Sequence, residues 1–261
     1  IEILQKMKTN KNLNSKTVNT LIYQKKRLSL DGGIAKCIKY ENKFFFKSLN
    51  LKNKNLIEFG CGIFPSSIGL NKNEFPKKYV ATDTSKKLIK IAKQNDNRPI
   101  YKTFNLEKNS LKEKFDVIVL KGVLHHTKKP ENVLIKLKKN LKPNGFLIIN
   151  EPNLSSLLGN FLKWFLEFFF KKSMEDSPYG QYDFKKISHS VKKAKLKINK
   201  KWYSTLLLLI LSGDYGRLKI FPDNNFLYSF IILLEKIFYY FFNFFKITKY
   251  LYFKVNLIIK K

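Results

Sequence analysis

Between Asn55 and Asn150, short and continuously apolar runs alternate with longer amphipathic ones. The short runs are Asn55–Phe59, Lys78–Thr82, Pro99–Phe104, Phe115–Leu120 and Phe146–Asn150, each of strand length and rich in β-branched or aromatic residues. Lys86–Gln94, with Ser85 as its N-cap, and Pro130–Leu141 carry helical periodicity between them. This alternation predicts right-handed βαβ units and a parallel sheet covered by helices. Upstream, apolar positions recur at helical spacing in Asn14–Leu30 (Val18, Leu21, Ile22) and in Ile34–Leu49 (Cys37, Tyr40, Phe44, Phe45). Asp31-Gly32-Gly33 separates the two as a turn.

Past Glu151-Pro152-Asn153 the rhythm changes. Leu154–Lys171 reads as a strongly apolar helix, Ser173 to Gln181 as a polar loop, and Asp183–Ala194 as an amphipathic helix. Leu196–Leu211 reads as a sixth strand with an aliphatic extension, Gly213 to Asn225 as loop, Phe226–Lys246 as an almost wholly apolar helix, and Tyr250–Lys260 as a last strand. The fold expected is α/β and Rossmann-like: a doubly wound, mostly parallel seven-stranded sheet. It has a helical N-terminal extension and apolar helical insertions near the C-terminus. The expected divisions are 1–50 (N-terminal helices), 51–205 (core, with a helical insertion at 153–181) and 206–261 (apolar insertion and final strand).

The candidate chemistry centres on Leu56-Ile57-Glu58-Phe59-Gly60-Cys61-Gly62-Ile63-Phe64-Pro65, a strand running into a turn that continues as a helix-compatible segment. Gly60 and Gly62 carry no Cβ, so the backbone there can bend sharply and approach a ligand. A nicotinamide site needs a third glycine where Pro65 stands, which excludes the dinucleotide reading. The stretch instead resembles motif I of the class I S-adenosylmethionine-dependent methyltransferases, which set an acid two residues before Gly-x-Gly, as Glu58 is set here. Three further blocks resemble the family in order: Asp83 at the end of the second strand, Phe115 through the Leu124-His125-His126 ending, and Leu141-Lys142-Pro143-Asn144-Gly145 leading into the fifth strand.

The resemblance implies S-adenosylmethionine as cofactor and no metal. It implies backbone amides of Gly60, Cys61 and Gly62, with the following helix N-terminus, against the cofactor's polar groups. Asp83 and Thr84 would lie at the ribose, Asn105 and Leu106 near the adenine, and Lys121 and Gly122 beside the methionine part. Glu58 either contacts the methionine amine or orients the loop as a buried hydrogen-bond hub. Phe64 stands where the family often has a third glycine, so its side chain either narrows the turn or points away. His125 and His126 follow the fourth strand at the ligand-binding edge and are the candidate general bases. The implied function is methyl transfer to a small-molecule or lipid-linked acceptor, in cell-surface glycan, quinone or lipid synthesis.

Charge changes this picture little. The net charge is +32, with 51 Lys+Arg against 19 Asp+Glu, but Arg27, Arg98 and Arg217 are the only arginines. A phosphate reader favours the planar guanidinium fork, so the composition disfavours nucleic acid as a partner. The rival class is a non-catalytic module of the same fold that binds RNA or a membrane through its basic face. Two cysteines without zinc or disulfide spacing fit a reducing cytosol. Ile1 to Lys26 has no continuous apolar run of secretory type, and a chain opening on Ile fits a fragment or a trimmed start. Residues 226–246 approach spanning length but keep a polar stripe and are followed by a strand of the same sheet. An in-plane helix at the inner face of a membrane, or a lid over a lipid-like acceptor, is expected. A homodimer interface is the alternative.

Overall fold

The computed structural model describes residues 33–47, 49–170, 183–208 and 224–261. The expected helix Asn14–Leu30, the loop Ser173 to Gln181 and nearly all of the loop Gly213 to Asn225 lie outside the described residues. The first elements are α1 (Gly33–Phe45), β1 (Asn55–Phe59), β2 (Lys78–Asp83), α2 (Lys86–Asn95), β3 (Ile100–Thr103) and β4 (Phe115–Lys121). α3 (Pro130–Lys139), β5 (Leu141–Pro152), α4 (Leu157–Phe170), α5 (Phe184–Lys193) and β6 (Lys197–Ser204) follow. Then come α6 (Asn225–Phe244), α7 (Thr248–Leu251) and β7 (Lys254–Lys260).

Among the described residues the strands make one seven-stranded sheet in the order β3-β2-β1-β4-β5-β7-β6. β1 to β5 pair in parallel, and β7 runs antiparallel to both of its neighbours. The chain winds outward from β1 in one direction and from β4 in the other. The crevice beyond the carboxyl ends of those two strands is therefore the switch point where such sheets bind ligands. Alternation fills both faces. Ile57, Phe59, Ile118, Leu120 and Leu147 pack with Leu134 of α3 and Val191 of α5. Leu56, Val117, Val119 and Ile148 pack with Phe45 of α1 and Ala92 of α2.

The segment after β1 departs from expectation. Instead of an α-helix it forms two 3-10 turns, Ser66–Gly69 and Lys72–Glu74. Pro65, two serines, Gly69 and two asparagines make a poor helix, and side chains hold the segment instead. Arg98 forks onto Asp96 (Nε to Oδ1 and Nη2 to Oδ2, both 2.8 Å) and donates to the carbonyls of Leu70 and Ser67. Gly69 lies flat on α1, where a Cβ would stand 2.5 Å from the Lys43 nitrogen.

Three strand ends also differ. β5 begins at Leu141 rather than Phe146, because Pro143-Asn144-Gly145 forms a bulge against β4, with Asn144 at φ 60°. β6 stops at Ser204 because Thr205 turns left-handed (φ 68°), and the expected extension through Leu208 does not pair. Residues 209–211 of that expectation lie outside the described set. The last strand begins at Lys254 rather than Tyr250, since Thr248–Leu251 is a helical turn whose end is tied down by Asn153. The Asn153 amide donates to the carbonyls of Lys249 and Tyr252, both at 2.7 Å.

Glu235, buried on α6, accepts hydrogen bonds from the amides of Leu206, Leu207 and Leu208 at 2.8, 2.7 and 3.3 Å. Burial nevertheless pushes its carboxyl up to about 7. The folded protein therefore holds this proton more tightly than the unfolded chain. The favourable contribution is complete below the ordinary carboxylate value and is lost as pH rises to about 7. Urea melts should show stability falling across this window by up to ~3 kcal/mol, and Glu235→Gln should flatten the slope. An unchanged slope in the variant would refute the assignment.

Candidate functional site

β1 ends at Phe59, and the chain turns through Gly60 (φ 67°) and Gly62 (φ 58°), both left-handed. A Cβ on Gly60 would stand 2.7 Å from Val123 Cγ2, so glycine alone fits between the two walls of the crevice. Cys61 N–H donates to the Thr82 carbonyl at 3.0 Å, and Gly62 N–H to Asp83 Oδ2 at 3.1 Å, which ties the turn to the end of β2. Asp83 Oδ1 accepts from Ser85 N–H at 2.9 Å. Burial raises the Asp83 carboxyl, and these backbone donors pull it back down. The backbone and the side chain of Thr84 donate to the same carboxylate.

Glu58 is 1% exposed. Its two oxygens share the Ser66 N–H (3.1 and 3.0 Å), Oε1 takes the Ser66 hydroxyl (2.5 Å) and Oε2 the Tyr79 hydroxyl (2.7 Å). These bonds tie the loop after the glycine turn to β1, and Glu58 also lines the cavity at the switch point. Burial raises its carboxyl, against the lowering pull of the Ser66 and Tyr79 hydrogen bonds.

A cavity of about 170 Å³ lies at the switch point, walled by Gly60, Cys61, Phe64, Lys121, Gly122 and Asn150, with Ile38 and Glu41 of α1 and Lys254 of β7. Phe64 thus lines the cavity. Lys121 Nζ donates to Asn42 Oδ1, and Lys254 Nζ pairs with Glu41 Oε2 at 2.9 Å. The Cys61 thiol is buried and pushed far above its ordinary value, first by desolvation and then by Glu58 and Asp83. It is a packing group rather than a nucleophile.

Past β4, Gly122 (φ 65°) starts a turn into the 3-10 segment Leu124–His126. His125 is buried, with Nδ1 2.5 Å from Oε2 of the fully buried Glu151. The other carboxylate oxygen of Glu151 accepts from Val123 N–H (3.1 Å) and Leu124 N–H (2.8 Å). With Glu151 acting as acceptor, the proton sits on Nδ1 and the lone pair on Nε2. A Cβ on Gly122, in the cavity wall, would be 3.7 Å from His125 Cε1.

The other expected residues lie further out. His126 is exposed, its ring 4.0 Å from that of His125. Thr84 is exposed. Asn105 spends its carbonyl oxygen on the amides of Glu107 and Lys108, and Leu106 is part of the core. No group of metal-ligating side chains occurs among the described residues. Sequence reasoning missed Ser66, Tyr79 and, above all, Glu151. The available signal for Glu151 was an acid directly after the apolar run of β5, on the strand beside β4.

A family model described as a methyltransferase domain matches residues 34–191, more than half of the chain. Probable polyketide synthase 14 of Dictyostelium discoideum is 34% identical over 135 residues, 42% of this chain and 4% of that protein. The hybrid PKS-NRPS synthetase phm1 of Pyrenochaetopsis sp is 31% identical over 109 residues, 37% of this chain and 3% of that protein. The chain therefore spans only a small part of these relatives' length. Among solved structures, an S-adenosylmethionine-dependent methyltransferase from Archaeoglobus fulgidus superposes with a TM-score of 0.54 at 11% identity, covering 87% of this chain and 94% of that one. One from Mesorhizobium loti gives 0.53 at 10%, covering 85% and 96%. At such identities the likeness is one of fold. Sheet order, glycine turn and family match together show that the chain belongs to the methyltransferase-domain family, as a class I S-adenosylmethionine-dependent methyltransferase.

Proposed function

We propose that this methyltransferase acts on a small or lipid-linked acceptor whose reacting atom must lose a proton, a carbon acid beside a carbonyl or a hydroxyl, with His125 as the base. The observation that carries the reading is the His125–Glu151 pair, on the turn that begins at Gly122 of the cavity wall. The residues present fit the cofactor: two left-handed glycines, no space for a Cβ at Gly60, and a carboxylate at Asp83 that closes the turn at the end of β2. The Cβ-free surface of the Gly60–Gly62 turn and Asp83 would receive it; the Cys61 and Gly62 amides, expected from the sequence to face the cofactor, are instead bonded to Thr82 and Asp83, and Lys121 and Gly122 would border its methionine part. Bound there, S-adenosylmethionine supplies a methyl group on a sulfonium, an electrophile that needs alignment more than activation.

The chain's own residues supply the rest. Cys61, Phe64 and Gly122 wall the cavity and exclude water. His125 takes the acceptor's proton at Nε2, leaving the electron pair on the acceptor atom, and Glu151 holds the ring in register and offsets the charge it gains. A neutral amine, with its lone pair already free, needs no base held this way. The polyketide synthases among the curated relatives support an acyl-chain carbon acid as the first acceptor to try.

Release of S-adenosylhomocysteine from a β-ketoacyl thioester or a phenol is the expected result. Release with amines alone would overturn the reading. Cofactor binding is tested separately by calorimetry. Asp83→Ala removes two charge-assisted acceptors and should weaken S-adenosylmethionine binding roughly ten- to hundredfold. Equal affinity in the variant would remove Asp83 from the site.

A further inference from the structure

α6 has two apolar faces. Tyr228, Ile231, Glu235 and Tyr239 recur at three- and four-residue steps and are buried. Phe226, Phe230, Leu233, Ile237, Tyr240 and Phe244 recur at the same steps on the opposite side and are exposed, Phe226 by 82% and Phe244 by 79%. A helix that merely covers a core needs the first stripe only. α4 repeats the pattern with Leu157, Phe161, Trp164 and Phe168, all exposed and joined by ring contacts such as Trp164–Phe168 at 5.6 Å.

The two stripes lie on neighbouring elements, since α7 packs on both helices and the Ser156 hydroxyl, just before α4, donates to the Leu251 carbonyl at 3.1 Å. Among the described residues from α6 to α7, the exposed charges are lysines. Lys236, Lys246 and Lys249 are exposed, while the one acid of α6, Glu235, is turned inward onto the amides of Leu206–Leu208.

We infer that this face docks on an anionic lipid bilayer, with α6 lying in the plane of the surface, its outer stripe among the acyl chains and its lysines at the headgroups. α6 is long and apolar enough to cross a membrane. Its inner stripe and Glu235 nevertheless hold it along the domain, and β7 returns the chain to the same sheet between β5 and β6. Trp164 and Tyr240 supply the amphipathic rings that favour the interface. The inference stands independently of the acceptor and of His125.

The test uses the full chain and vesicle flotation. Vesicles of phosphatidylcholine mixed with phosphatidylglycerol should recover the wild type roughly tenfold better than the triple variant Phe230→Glu/Ile237→Glu/Phe244→Glu. All three positions are exposed, so the variant should keep its melting curve and its S-adenosylmethionine affinity. Bromine-labelled acyl chains should quench Trp164, and Trp164→Phe should abolish the quenching while the protein still floats. Equal flotation of wild type and triple variant overturns the inference, and equal recovery on pure phosphatidylcholine overturns its anionic part. A wild type that ignores vesicles but is dimeric by light scattering, with a monomeric triple variant, assigns the face to a second copy of the chain instead.

Discussion

His125→Ala is expected to lower methyl transfer by roughly 10²–10⁴-fold, the contribution of a positioned general base, with S-adenosylmethionine affinity within about threefold of wild type. The split follows from the proposed roles, which put His125 at the acceptor and leave the cofactor to the Gly60–Gly62 turn and Asp83. Its neighbour separates the base from a general electrostatic effect. His126 is exposed, whereas His125 is buried against Glu151, so His126→Ala should cost less than about tenfold. Glu151→Gln removes the charge and one of the two acceptor oxygens, so either His125 Nδ1 or the Val123 and Leu124 amides face an NH₂, and should lower turnover with little change in the Michaelis constant for the acceptor. Steady-state release of S-adenosylhomocysteine measures all three. Full turnover in His125→Ala would end its role as base, and a tenfold loss of cofactor affinity would make it a structural residue of the crevice.

The Glu58→Ala protein is expected to lose about 3–5 kcal/mol of stability, because four hydrogen-bonding contacts from Ser66 and Tyr79 end on one fully buried carboxylate. Truncation leaves both partners' donors buried without an acceptor and leaves a void under the turn. For a chain of this size the loss corresponds to a melting temperature lower by about 10 °C. Glu58→Gln keeps one acceptor oxygen but points an NH₂ at donors, so it should fall between wild type and alanine. Urea melts of the three proteins give the order. A Glu58→Ala protein as stable as wild type would mean that the hub is not what holds the Ser66–Gly69 segment.

The site divides by the range over which each part is determined. The glycine turn was visible because φ > 0 and close approach are demands of a single position, met by Gly60 and Gly62. Asp83 was visible because it ends an apolar run. Glu151 was not, because its role depends on register: Lys121 pairs with Asn150, which sets Glu151 beside the turn carrying His125, 26 positions earlier in the chain. The segment after β1 is 3-10 rather than the expected helix because what holds it lies far along the chain: Arg98 donates to the carbonyls of Ser67 and Leu70, and Gly69 packs on α1. Likewise α6 reads from its sequence as almost wholly apolar with a narrow polar stripe, and only packing divides its apolar surface into a docked face and an outward one.

By itself the sequence determined the alternation of strands and helices, the class of fold and the turn that receives the methyl donor, since periodicity and backbone freedom are local properties. The tertiary structure alone decided that β7 lies between β5 and β6, that Ser66 and Tyr79 converge on Glu58, and that Glu151 stands against His125. Those outcomes depend on strand register and burial, which bring together residues that no local pattern pairs.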